Sequence, residues 1–260
     1  MKSAPAPELP TTINTNSAPE LLEEMPITKH LVILRQHLFK IVAILLTLFF
    51  CLLPFANTTY QLLSEPLRAQ LPTQSTMIAT DVTATFMAPF KLNFFVALLL
   101  AMPFIIYQIW TFVRPALYRN EKTLALPLLV GSITLFYLGI GFAYYIALPS
   151  ILHFFIQVSP ESVAPMTDIN SYLSFCLKLF LVFGFTFEIP IITLLLVLMR
   201  MVSTQQLIAK RRFIIVGCFF VAMFVTPPDA LSMIMLAIPM WMLFEVGLLA
   251  AKVLEKRHLT

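Results

Sequence analysis

Six apolar runs, separated by polar, charged or proline-containing connections, organise the chain: Leu38–Phe55, Leu92–Val113, Leu124–Leu148, Tyr172–Met199, Phe213–Val225 and Ala230–Ala251. In hydrocarbon every backbone N–H and C=O has to be paired inside its own segment, so apolar runs of about 20 residues predict membrane-spanning helices. The fifth run stands apart. From Phe213 to Val225 it makes a helix about 20 Å long against a hydrocarbon core about 30 Å thick, so it is half-buried, thins the bilayer or reaches only part way. The Thr226-Pro-Pro-Asp229 turn behind it stops the helix, because proline lacks the N–H and pushes the preceding residue out of the helical region. Runs five and six therefore predict a short, shallow hairpin.

Pro54, Pro103, Pro127, Pro149, Pro190 and Pro239 lie in or at the ends of the runs, each removing a backbone donor, so the helices are expected to be bent. The fold class is an all-α membrane protein of six bent transmembrane helices. No two glycines have the Gly-x-x-x-Gly spacing, and no repeat, direct or inverted, marks a common secondary-transporter fold.

Composition agrees with the pattern: the chain is 59% hydrophobic and 12% charged, where a soluble domain is about a quarter charged. A water-soluble globule is excluded. The net charge is +4, and the basic residues sit at the ends of the runs and not along a groove, so no nucleic-acid partner is expected. Lys2, Lys29, Arg35 and Lys40 precede run one; Arg114, Arg119 and Lys122 follow run two; Arg200, Lys210, Arg211 and Arg212 follow run four; Lys252, Lys256 and Arg257 end the chain. Arg68 alone lies in the opposite connections, with Lys91 at a run edge and Lys178 inside run four, where its stem can snorkel outward. This bias predicts cytoplasmic termini, with the bilayer itself as the surrounding partner. Residues 1–25 read as a disordered polar extension with neither the h-region nor the cleavage site of a signal peptide, residues 26–251 as the six-helix membrane domain, and 252–260 as a short cytoplasmic tail.

The chain holds no phosphate-binding glycine loop, no His-Glu-x-x-His and no Gly-x-Ser-x-Gly. Cys51, Cys176 and Cys218 are scattered singly. No catalytic residue, cofactor or metal site is expected. The charges that remain are more informative. Glu188, two residues before Pro190, lies in the middle of run four, where a carboxylate costs about 2.5–3.5 kcal/mol on insertion scales. It reads either as a polar spot facing a cavity or partner helix, or as a protonated acid satisfied by a neighbouring helix. Glu245 has Lys252 seven residues on, nearly on the same face, and reads as a salt bridge or a functional group. Glu121 lies in the basic loop after run two, beside Tyr107, Trp110 and Tyr118, which are expected at the headgroup level; it pairs locally or accepts a cationic ligand.

Several ordered motifs resemble one family. Phe112-Val-Arg-Pro-Ala-Leu-Tyr-Arg-Asn-Glu121, Phe187-Glu-Ile-Pro190, Thr226-Pro-Pro-Asp229, Ala237-Ile-Pro239 and Phe244-Glu-Val-Gly247 look like those of TatC, the multispanning receptor of the twin-arginine protein translocase. The resemblance runs from about Pro26 to Ala251 and includes Ser75-Thr-Met-Ile-Ala-Thr-Asp81. It implies a bacterial inner-membrane protein that binds twin-arginine signal peptides at its cytoplasmic face. It would assemble with other TatC copies and with the single-span subunits TatA and TatB, and move folded cargo with the proton motive force. By position Glu121, His30 and Arg35 fall among the signal-peptide residues, and Glu188, Pro190, Asp229 and Glu245 among the partner-facing polar ones. The family's His-Leu-x-Glu-Leu-Arg appears as His30-Leu-Val-Ile33-Leu-Arg35, so Ile33 replaces an acid. At about 100° per residue Ile33 shares a stripe with Lys29, Gln36, His37 and Lys40, with Leu31, Leu34 and Leu38 opposite. The competing expectation is a proton-coupled transporter or channel that uses Glu188 as its relay; the sequence offers it no series of intramembrane acids.

Overall fold

The computed structural model describes residues 27–56, 58, 82–113, 125–158, 168–226 and 230–258. Its elements are α1 (Ile27–Leu52), α2 (Val82–Val113), α3 (Ala125–Phe142), α4 (Leu148–Val158), α5 (Ile169–Thr186), α6 (Ile189–Leu198), α7 (Thr204–Ala209), α8 (Arg211–Val225) and α9 (Ala230–His258). Five stretches are long and apolar enough to cross a membrane: Val32–Phe55, Met87–Phe112, Ala125–Phe155, Asn170–Leu198 and Ala230–Glu255. The sixth apolar helix, α8, has 15 residues, about 22 Å of helix, and falls short as its sequence predicts. The last helix continues through Lys252 to His258, into the expected tail.

Proline is absorbed in different ways. Pro103 and Pro239 sit inside continuous α2 and α9. At Pro149 the third span stays helical by widening: Ala143–Ala147 form a π turn in which the Leu148 N–H reaches the Ala143 carbonyl, and α3 runs on through it into α4. Thus span three extends to Val158, past the apolar run that announced it. In span four the ladder breaks at Phe187–Glu188, and Pro190 falls in the first turn of α6, where a missing N–H costs little. Arg200, at φ 53, closes that span: its N–H bonds the Val197 carbonyl at 2.9 Å, and the Met201 N–H bonds that of Leu196 at 3.1 Å.

Antiparallel α1 and α2 are tied near one end by His37 and Gln108, and near the other by the Asn93 side-chain amide donating to the Phe49 carbonyl at 3.1 Å. The Tyr137 hydroxyl of α3 donates to the Leu99 carbonyl of α2 at 2.8 Å. Hydrophobic exclusion does not press helices together in lipid, so close approach must come from small residues and polar contacts. Here the glycines supply it without a shared motif. A Cβ on Gly139 would lie 2.6 Å from the Phe183 carbonyl oxygen, one on Gly184 2.7 Å from the Phe136 ring, and one on Gly247 2.6 Å from the Pro190 Cα. Around these contacts Phe136, Phe183, Phe244 and Leu248 are buried.

Gly139→Ala and Gly247→Ala each force backbone apart and are expected to cost about 1–3 kcal/mol. Gly217→Ala, whose Cβ meets nothing within 4 Å, should be neutral or stabilising by up to about 1 kcal/mol. Thermal unfolding of the three variants in detergent checks the contrast.

Candidate functional site

Span four carries the polar centre of the molecule. Because Pro190 cannot donate, α5 ends one turn earlier: the Phe187 N–H bonds the Phe183 carbonyl at 2.9 Å, the Glu188 N–H bonds that of Phe185 at 3.1 Å, and Glu188 becomes the residue that opens α6. The Thr186 hydroxyl turns back onto the Val182 carbonyl at 2.6 Å, closing a polar group that would otherwise compete for the break. Glu188 is half-buried and its carboxyl lies beside Ser132 of α3. The Ser132 hydroxyl in turn accepts from the Trp110 indole N–H of α2 at 3.3 Å. Trp110, Ser132 and Glu188 thus form one polar row across three spans. Glu188 Oε1 is buried and unpartnered within the described residues.

Two members of that row were not legible as such. Trp110, expected at the headgroup level beside Tyr107, is buried between α2 and α3, while Tyr107 is exposed; the unshared N–H of an indole seeks a protein acceptor when one is within reach. Ser132 is a lone serine in an apolar run and gives no signal in sequence; only the crossing of α3 with span four brings it to the carboxylate.

A second polar contact ties the start of α8 to the middle of α9. Glu245 pairs with Arg211, Nη2 to Oε2 at 2.6 Å, and not with the expected Lys252, which is exposed. Lys252 lies on the same helix, whereas Arg211 starts the neighbouring α8 and brings a fork that fits a carboxylate. The Thr204 hydroxyl donates to Glu255 at 2.5 Å, so α7 is also pinned to α9. Glu245 Oε1 and Arg211 Nε remain buried without partners among the described residues.

At the start of α1, Ile33 is half-buried one turn before His37, whose ring meets Gln108 and packs edge-on at 6.3 Å from Phe112. Arg35 is exposed. The stripe of Ile33 and His37 faces α2, while Leu34 and Leu38 face outward, as suits a helix surrounded by lipid. His30 belongs to α1 by its backbone, and its side chain lies outside the described residues, as do Glu121 and Asp229. Of the sequence-derived site residues, Glu188 and Pro190 come together with Gly247 against Pro190; Glu245 lies two residues before Gly247 and turns to Arg211; Ile33 and Arg35 stay on α1.

Compared with known proteins, residues 29–239 match the family model of the Sec-independent protein translocase protein, TatC. The Sec-independent protein translocase protein TatC of Azotobacter chroococcum mcd 1 is 48% identical over 229 residues, 88% of this chain and 90% of that protein. The protein of the same description from Escherichia coli strain K12 is 47% identical over 225 residues, 86% of this chain and 87% of its own. The fold aligns with the crystal structure of the twin arginine translocase receptor TatC at a TM-score of 0.78 and 33% identity, covering 86% of this chain and 98% of that one. The chain is a member of the TatC family.

Proposed function

We propose that this chain is the receptor and scaffold subunit of a twin-arginine translocase: it binds twin-arginine signal peptides at the cytoplasmic face, assembles with TatA, TatB and further copies of itself, and passes folded proteins across the bacterial inner membrane at the expense of the proton motive force. The observation that carries the reading is family membership over nearly the whole membrane domain, to proteins described as Sec-independent translocases and a structure described as the twin-arginine receptor. The chain's work is binding and scaffolding, with no catalytic step of its own. Glu121, His30 and Arg35 meet the signal peptide, and Ile33 leaves Glu121 as the main carboxylate for its guanidinium groups, since a carboxylate holds a guanidinium by paired charge-assisted bonds and an isoleucine cannot. Glu188, with Pro190, Asp229 and Glu245, serves the partner helices; the Glu188 oxygen left unpartnered among the described residues supports this, because a buried open acceptor suits a donor from another chain.

Export of a folded twin-arginine cargo in cells lacking their own receptor tests the reading directly: the chain should restore export when TatA and TatB are present. Small-solute flux through the chain alone, without restored export, would replace it by the transporter reading.

Glu188→Gln should keep most export and complex assembly, and Glu188→Leu should lose both, since only the former keeps a polar contact for a partner. Parental behaviour of the Leu variant would make the site idle.

Ile33→Glu is expected to strengthen crosslinking of a twin-arginine signal peptide, by up to about 1 kcal/mol if the contact is exposed and about 1.5–3 kcal/mol if desolvated, and Glu121→Ala to abolish it. No change in the first together with tolerance of the second removes both from the site.

For orientation, impermeant thiol labelling of intact cells should reach Gln74→Cys and Glu161→Cys and spare Asn120→Cys. The reverse pattern overturns cytoplasmic termini.

A further inference from the structure

Lys178 is the one Lys or Arg well inside span four, between Asn170 and Leu198, and it is exposed. Ser171, Lys178, Phe185 and Ile192 follow one another at seven-residue steps, and all four are exposed, Phe185 at 55% and Ile192 at 51%. The opposite side of α5 is fully used: Leu173, Cys176, Phe180 and Phe183 are buried in the core. Span four therefore packs on one side and presents an open helical stripe on the other. Seven-residue spacing is the repeat with which one helix lies along another.

A second lysine in the same part of the membrane shows how this chain treats such a charge. The Phe95 and Phe180 rings lie 6.0 Å apart, which sets Lys91, one turn from Phe95, close in depth to Lys178, two residues from Phe180. The Lys91 ammonium is carried to the end of span four, where it donates to the Asn170 amide oxygen at 2.8 Å. No carboxylate among the described residues pairs with Lys178; the described ion pair is Arg211–Glu245. Eight residues of helix put the Lys178 Cα about 12 Å below Asn170, and its stem covers only about half of that. The ammonium accordingly stops short of the level where Asp168 caps the helix through the Ser171 N–H and hydroxyl. An intramembrane cation short of the polar layer calls for a counter-charge inside the membrane. Among the described residues, another copy of this chain carries none at that depth. Its described span carboxylates are Glu188, ten residues further along span four, Glu245, held by Arg211, and Glu255, at the far end of α9.

We propose that the Ser171–Lys178–Phe185–Ile192 stripe is a docking face for a single-span membrane helix bearing a carboxylate, and that Lys178 is its counter-ion. The inference rests on the proposed assembly with single-span subunits and adds where one of them sits and which of its groups is read. Phe185 and Ile192 supply the apolar contact below the charge, Ser171 leaves room above it, and the ion pair fixes register: a helix shifted by one turn would leave both charges unpaired in hydrocarbon.

The test uses the full chain co-expressed with TatA and TatB, with single cysteines at Phe185→Cys and Ser171→Cys and a cysteine scan along each single-span helix. One subunit should give a disulfide with a helical periodicity of reactive positions. Its yield should fall about tenfold with Lys178→Leu and persist with Lys178→Arg, as expected when one desolvated ion pair is lost or kept. Lys178→Glu should abolish the crosslink, and exchanging the partner's acid for lysine should restore it. Three results overturn the proposal: a crosslink indifferent to Lys178→Leu; no crosslink on this stripe while both subunits still co-purify with the chain; or Lys178-dependent labelling by a photoactivatable phosphatidylglycerol with no subunit contact, which would make the stripe a lipid site. Loss of co-purification in the parent chain would instead refute the proposed assembly itself, so the two failures are distinguishable.

Discussion

Span four is fixed in place by three points at which a side chain is missing. Gly139 lets α3 rest on the Phe183 carbonyl, Gly184 admits the Phe136 ring, and Gly247 brings α9 onto the Pro190 backbone. In water a helix can be held by burying an apolar face; in lipid that face gains nothing by moving from acyl chains to leucines, and contact depends on how closely two backbones can come. Both α3 and α9 are positioned through span four, and α8 follows α9 through the Arg211–Glu245 pair. α2 joins through Phe95 on Phe180 and Lys91 on Asn170, and α1 packs chiefly along α2 among the described residues.

The break in the same span puts a carboxylate where the packing is closest. A continuous helix would point residue 188 along the face of its neighbours; the proline two residues later interrupts the ladder and makes Glu188 a terminus, with Ser132 and Trp110 arrayed beside it. The rigid contacts on either side, Gly184 on Phe136 and Pro190 on Gly247, hold the two half-helices so that the break cannot straighten. Preorganisation of this kind is what a recognition site inside a membrane needs, because reorienting a carboxyl in hydrocarbon costs more than in water.

Much of the architecture was legible in the chain because hydrocarbon admits few solutions. Apolar length marked the spans, shortness singled out α8, and the expected stop after Val225 falls at Thr226, which leaves the helix in an extended conformation; Pro227, Pro228 and Asp229 lie outside the described residues. Glu188 was visible because a charge in an apolar run is rare. What escaped was whatever depends on two segments meeting. The partner of Glu245 sits on another helix, and local spacing could only propose Lys252. Trp110 looks interfacial by position but is drawn inward by a serine 22 residues away. The three glycines share no motif because each faces a different neighbour. Glu121 stood out as an acid in a basic loop, Asp229 was read as a site residue from resemblance, and both lie outside the described residues.

The π turn at Ala143–Ala147 has a geometric outcome beyond accommodating Pro149. It spends one residue more than an α turn for nearly the same rotation, so the chain beyond it is out of phase with the chain before it by about 100°. Phe136 and Leu148, both buried, would stand about 120° apart on an uninterrupted α-helix and come to within about 20° of one another with that offset, so no single helical wheel drawn over 125–158 places both correctly. Span three thus consists of two amphipathic phases joined by a phase shift. Its first half is keyed to α2 and span four, and its second to the groove against α9 formed by Ile151, Leu236 and Pro239.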